Sequence, residues 1–145
     1  MRYLSRCSDC GSVTECVGAQ ALVGHTLEWD IGHHCPSCGM TLHECGPGGG
    51  DMPEDLRGRL LAEHGTARVA LGDPPARPPR PATVMKVLRA EFGGGLADAK
   101  RMLQQIRDGV FVGTMPETAL LVERLRAAGV EAEAERLPPG GDQVR

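Results

Sequence analysis

Four cysteines, arranged as two close pairs, are the residues whose type and spacing most directly imply chemistry. Cys7 and Cys10 form one CxxC pair, and Cys35 and Cys38 form the other. A two-residue gap lets one turn present both sulfur atoms to the same metal ion, and four thiolates suit tetrahedral zinc. A glycine follows each pair and allows the backbone to turn tightly around the sulfurs. The spacing therefore predicts one structural Zn²⁺ ion held by these four cysteines.

Two other uses of the CxxC pairs are disulfide bonds and a redox dithiol. A redox pair usually stands at the start of a helix in a βαβ unit, and the flanking sequence has no such pattern. The N-terminus is polar and no apolar run approaches the length of a membrane span, so we expect a cytoplasmic chain with reduced thiols. We predict that Cys16 and Cys45 are buried or partly buried thiols, and that His34 is the nearest reserve ligand.

A site closed by four cysteines serves folding rather than catalysis, because a catalytic zinc keeps one position open for water. Short β-leaning segments around Gly24 and Gly32 separate the two pairs, and together they predict a zinc ribbon. The chain shows no Ser/His/Asp set, no phosphate-binding loop and no paired carboxylates in a plausible pocket. We therefore expect a protein that is not an enzyme.

Charge is distributed unevenly along the 145 residues. Residues 1–65 contain four arginines and nine acidic residues, a net charge of −5, whereas residues 66–137 have a net charge of +2. This asymmetry predicts two modules, and neither has the strongly basic stripe of a nucleic-acid binder. The predicted divisions are a zinc ribbon at 1–46, a linker with a short helix at 47–65, a second domain at 66–137 and a flexible tail at 138–145.

The second domain is predicted to be α+β, with elements in the order β-α-α-β-α-β. The predicted segments are strands at 66–72, 110–114 and 130–137, and helices at 82–92, 96–109 and 115–128. A capping box formed by Thr114 and Glu117 is expected to begin the third helix. The residues expected to face the core from the first two helices are Val84, Leu88, Phe92, Leu96, Ala99, Leu103 and Ile106.

The first two helices of this domain flank three glycines and carry both lysines of the chain. Lys86 and Arg89 lie on the face of the first helix opposite its apolar residues, with Met85 at the border, and Lys100 lies on the second helix. The glycines let the chain reverse so that the helices pack as a hairpin. The pattern predicts either a recognition surface or a solvated helix face.

The segments KVLRAEFGGGLADAKRML and LRAAGVEAEAE resemble the C-terminal domain of the bacterial large-subunit ribosomal stalk protein. The shared pattern is apolar-Lys-x-x-Arg, a glycine-rich turn, Leu-x-x-Ala-Lys and a closing Leu-x-x-Ala-Gly, and it covers residues 66–137. In that family the helical hairpin docks translational GTPases. The resemblance implies partner-binding roles for Met85, Lys86, Arg89 and Lys100. It implies turn-shaping roles for Gly93, Gly95 and Leu96.

The chain departs from the family in two places. Pro81 and Ala82 stand where the family has a lysine, with Arg80 nearby, and a zinc ribbon replaces the N-terminal dimerisation region and hinge. We therefore expect a separate interaction protein that uses the domain to dock a translational GTPase or the ribosome. One alternative is an adaptor for a AAA+ protease, because Leu71–Gly72–Asp73 resembles the binding loop of such an adaptor. The other alternative is a nucleic-acid-binding or regulatory zinc ribbon.

Overall fold

The computed structural model describes residues 1–47, 52–72 and 80–138. The chain divides into two compact units, Met1–Glu63 and His64–Arg145. Both units combine helices with antiparallel sheets, which confirms the α+β class. In the described ranges, no helix is both long enough and apolar enough to cross a membrane.

The first unit contains a four-stranded antiparallel sheet whose strands neighbour one another in chain order. The strands are β1 (Arg2–Arg6), β2 (Val13–Val23), β3 (Thr26–His34) and β4 (Thr41–Pro47). Gly24, in the turn between β2 and β3, has a φ of 60°, which favours glycine. The strands are longer than the short segments predicted, because β3 continues through Gly32 without a break.

A helix, α1 (Glu54–His64), packs on one face of this sheet. Leu56 and Leu60, four residues apart on one face of the helix, are buried with Ile31. Gly18 makes this approach possible, because a Cβ atom there would lie only 2.4 Å from Leu56 Cδ1. The helix that we placed in the linker is therefore part of the first compact unit.

The second unit follows the predicted order β-α-α-β-α-β. Its elements are β5 (Ala67–Leu71), α2 (Pro81–Phe92), α3 (Leu96–Arg107), β6 (Val112–Gly113), α4 (Met115–Ala127) and β7 (Ala132–Arg136). The sheet is antiparallel, with β5 between β6 and β7. The capping box is present at the start of α4, where Glu117 N donates to Thr114 Oγ1 at 3.3 Å and Thr114 N donates to Glu117 Oε2 at 3.0 Å.

The core of the second unit is formed by the apolar faces of the three helices against the sheet. Its buried residues include Val69, Val84, Leu88, Ala99, Leu103, Ile106, Leu121, Leu125, Val130 and Ala132. Two residues predicted to face this core do not: Phe92 is 47% exposed and Leu96 is 63% exposed. Both flank the glycine turn, where the hairpin extends past the end of the core. The Phe92 ring instead makes an edge-on contact with Phe111, at 5.7 Å between centroids.

Candidate metal centre and cationic helical surface

The first cysteine pair lies in the turn between β1 and β2. Cys7 N donates to Ser12 O at 2.8 Å, and Gly11 N donates back to Cys7 O at 3.0 Å. Gly11 has a φ of 71°, so the turn uses the conformational freedom expected of this glycine. These bonds close the chain into a tight loop that presents Cys7 and Cys10.

The second pair repeats this geometry between β3 and β4. Cys35 N donates to Met40 O at 2.9 Å, and Gly39 N donates to Cys35 O at 2.9 Å. Gly39 has a φ of 76°. Because the strands alternate in direction, both loops stand at the same end of the sheet, and Cys38 comes close to the first pair.

The four sulfur atoms gather as a metal site requires. All lie within 4.8 Å of one another, with 3.7 Å between the sulfurs of Cys7 and Cys38 and 3.6 Å between those of Cys10 and Cys35. Sulfurs bound tetrahedrally to zinc at ~2.3 Å are about 3.8 Å apart, whereas a disulfide bond is ~2.05 Å long. All six cysteines lie in described segments and are free thiols. The four predicted ligands could therefore hold one tetrahedral metal ion.

The electrostatics of the cluster also suit a cation. Hydrogen bonds from the side chain and backbone of Ser12 lower the pKa of Cys10 to about 6. The backbone N–H of Met40 lowers the pKa of Cys38, but neighbouring sulfurs, Cys10 first, raise it to about 12 overall. Cys10 therefore ionises readily, whereas the neighbouring sulfurs oppose ionisation of Cys38. A bound divalent cation removes this conflict and displaces the remaining protons.

Three other candidate ligands stand apart from the metal site. Among the described residues, the four-cysteine cluster is the single group of His, Cys, Asp or Glu side chains near enough to share an ion. Cys16, Cys45 and His34 do not belong to it. Cys16 is buried as predicted, whereas Cys45 is exposed on β4, contrary to the expectation that it is at least partly buried. Sequence spacing therefore identified all four cysteines of this cluster.

A polar row that sequence reasoning missed crosses the sheet beneath α1. Cys16 Sγ lies 3.2 Å from His33 Nδ1, and the other ring nitrogen of His33, Nε2, lies 2.9 Å from Glu44 Oε1, within ion-pair distance. The order thiol, imidazole, carboxylate is that of an activated nucleophile. However, Cys16 is only 1% exposed, and burial raises its pKa. This row is therefore a buried polar link rather than a reactive thiol.

The predicted cationic residues are exposed on the two helices of the hairpin. Lys86 and Arg89 on α2 and Lys100 on α3 are exposed, and Met85 is half-buried against the core. None of the three cations has an ion-pair partner within 4 Å among the residues that the structure describes. Their charges therefore face solvent. We call Lys86, Arg89 and Lys100, together with the exposed Phe92 and Leu96, the hairpin surface.

The glycine turn differs in detail from the prediction, which named Gly93 and Gly95. Gly93 and Gly94 have φ values of 70° and 81°, whereas Gly95 has a φ of −88°, which any residue adopts. Gly95 N donates to Asp98 Oδ2 at 3.0 Å and begins α3. The residues that require glycine are therefore Gly93 and Gly94. Leu96 is the first residue of α3 and is exposed rather than packed into the turn.

The second unit also has an open groove of about 550 Å³ beside β5 and β7. Leu71 and Gly72 form part of its lining, and Glu131, Glu133 and Glu135 add carboxylates. Glu135 is paired with Arg68 at 2.9 Å. Arg126 also lines the groove, so the two arginines offset part of the charge of the three carboxylates and the groove stays acidic.

Comparison of the sequence with models of known protein families gives no match, and comparison with curated proteins gives none either.

Proposed function

We propose that the first unit is a zinc ribbon in which one Zn²⁺ ion serves as a structural clamp. The support is the sulfur arrangement: four unbonded cysteines converge from two equivalent loops at distances that fit tetrahedral zinc. A sheet with so few buried aliphatic residues has little other means of holding its two loops together. Metal analysis of the purified chain tests this, with one zinc per chain expected.

We propose that the second unit docks a protein partner and that the chain is not an enzyme. The observation that supports this function is the hairpin surface. Lys86, Arg89 and Lys100 project from two helices without ion-pair partners in the described segments, beside exposed Phe92 and Leu96. Exposed cations and exposed apolar side chains on the same two helices suit an acidic amphipathic helix of a partner, because charge steers the encounter and apolar contact holds it.

The proposed partner is a translational GTPase or the ribosome. The support is the resemblance of the hairpin and closing motifs to the ribosomal stalk domain. A zinc ribbon in place of the ribosome-anchoring region implies that the chain reaches its partner by another contact. Affinity purification from the native cells, followed by identification of the captured proteins, tests this assignment.

The contribution of the hairpin surface is tested by charge reversal. The double variant Lys86→Glu/Arg89→Glu is expected to lose most of the captured partner, whereas Arg107→Glu should retain it. Arg107 is a matched control because it is exposed on the last turn of α3, away from the glycine turn. Equal capture by both variants would contradict the proposed docking surface.

A second candidate function is that of an adaptor for a AAA+ protease. The acidic groove beside Leu71 and Gly72 favours it, because carboxylates can pair with the α-ammonium group of a peptide N-terminus. Asp73 of the proposed loop lies outside the described residues. Titration of free and N-acetylated peptides distinguishes the two functions: selective binding of the free form would favour the adaptor. The third alternative, nucleic-acid binding by the ribbon, is disfavoured by the net charge of −5 over residues 1–65.

A further inference from the structure

The sheet of the first unit has a second face, on the side away from α1, that presents an apolar stripe. Strand residues alternate between the faces, and the odd-numbered positions of β2 point away from the buried Cys16 and Gly18. The exposed apolar residues on this open face are Leu4, Val13, Val17, Ala19, Ala21 and Val23. We call this set the apolar stripe. Its largest members are strongly exposed, from 43% at Val17 to 65% at Leu4.

The members of the apolar stripe are neighbours rather than scattered. Leu4 is opposite Glu15 in the strand register, so it lies diagonally between Val13 and Val17. From Val17 to Val23 every residue on this face of β2 is apolar. A single exposed aliphatic side chain needs no explanation, but a continuous row along a central strand marks an interaction surface.

The charges on either side of the stripe have opposite signs. On β1, Arg2 and Arg6 point to the open face, whereas Glu28 and Asp30 do so on β3. Arg2 and Glu28 have no ion-pair partner among the described residues. The open face is therefore basic on one side of the stripe and acidic on the other.

This arrangement is complementary to itself. Two copies can pack with their open faces together, related by a two-fold axis that runs parallel to β2. In this arrangement β1 of one copy lies across from β3 of the other. Arg2 of each copy then approaches Asp30 of its partner, because Arg2 is level with Val17 and Asp30 is level with Ala19, the next residue on the same face, and this contact occurs twice. Two aligned sheets commonly pack in this way, with their apolar rows interlocked. Glu15, the acid within the stripe, lies diagonally between Arg2 and Arg6 of its own copy, which offsets its charge.

We propose that the open face binds a second copy of this chain, so that the protein forms a symmetric dimer through its zinc-bearing sheets. A second copy is the expected partner because the charges of the open face are complementary to those of the same face on another molecule. This inference is independent of the docking function of the hairpin surface, which belongs to the other unit.

Sedimentation equilibrium of the zinc-loaded full chain tests the proposal over a range of protein concentrations. The wild type is expected to have twice the 15.4 kDa chain mass, and Val17→Glu is expected to be monomeric. Leu42→Glu is the matched control and should remain dimeric. Leu42 is also 43% exposed, on the same sheet, but it pairs with His33 and points to the face that carries α1.

A charge exchange makes the orientation testable. Arg2→Glu should raise the dimer dissociation constant about tenfold or more, because the like charge is placed in two symmetry-related contacts. Adding Asp30→Arg to the same chain should restore dimerisation. Unchanged Trp29 emission in each variant shows that the sheet still folds.

Three results would overturn the proposal. One is a monomeric wild type at every concentration, including the case in which another part of the same chain covers the stripe. Another is a dimer that Val17→Glu leaves intact. The last is failure of the charge exchange to restore association in a folded double variant.

Discussion

Removal of the metal should unfold the first unit while leaving the second folded. The perturbation is Cys35→Ser, which replaces a proposed ligand that is 0% exposed. Structural zinc contributes about 10–16 kcal/mol in small domains, which matches or exceeds the ~5–15 kcal/mol that keeps a whole domain folded. Among the described residues of the first unit, the buried hydrophobic cluster consists of Ile31, Met52, Leu56 and Leu60, which is too small to replace the contribution of the metal.

Trp29 provides the assay, because it is the single tryptophan of the chain and packs against this cluster. In Cys35→Ser, its emission should shift to that of a solvent-exposed indole, and metal content should fall. Three of the four described helices lie in the second unit, so most of the helical circular dichroism should remain. Cys45→Ser is the control, because its exposed thiol lies outside the cluster. Native-like Trp29 emission in a variant shown to be metal-free would refute the reasoning.

Three further predictions, which use five substitutions, test the second unit by chemical denaturation. Gly94→Ala should cost about 1–2 kcal/mol, since its φ is 81° and a Cβ would lie 3.0 Å from Asp98 Oδ2. Gly95→Ala, at a φ of −88°, should be nearly neutral, and equal losses at the two sites would contradict the turn geometry. Leu88→Ala should cost about 2–5 kcal/mol because Leu88 is fully buried. Leu96→Ala, on the surface, should stay within about 0.5 kcal/mol, and a large loss would place Leu96 in the core after all. Thr114→Ala should cost about 1 kcal/mol by removing the capping box, and an unchanged midpoint would show that the cap contributes nothing.

Features encoded in local spacing could be predicted from the sequence. The CxxC pairs identified all four members of the sulfur cluster, because the gap of two residues within each pair limits the distance between its two sulfurs. The capping box and the order of elements in the second unit were likewise correct, since each depends on residues a few positions apart.

Features that depend on register or on the extent of the core could not be predicted. Helical periodicity places Phe92 on the same face as Leu88, but it does not say where the core ends, so its exposure was missed. The contact between Cys16 and His33 depends on the pairing of two strands, which the sequence does not specify. Packing of α1 on the sheet was missed for a similar reason. Leu56 fits against the sheet because Gly18, on a distant part of the chain, has no side chain to occupy that space.

The central claim is that the hairpin surface is where a partner docks, while the metal only maintains the fold of the other unit. Hydrogen–deuterium exchange of the free chain and of the chain bound to its captured partner tests this most directly. The account predicts that binding slows exchange in residues 86–100, around Lys86, Arg89 and Lys100, and that Lys86→Glu/Arg89→Glu abolishes this protection. Protection confined to the loops of the four cysteines, with residues 86–100 unchanged, would contradict it.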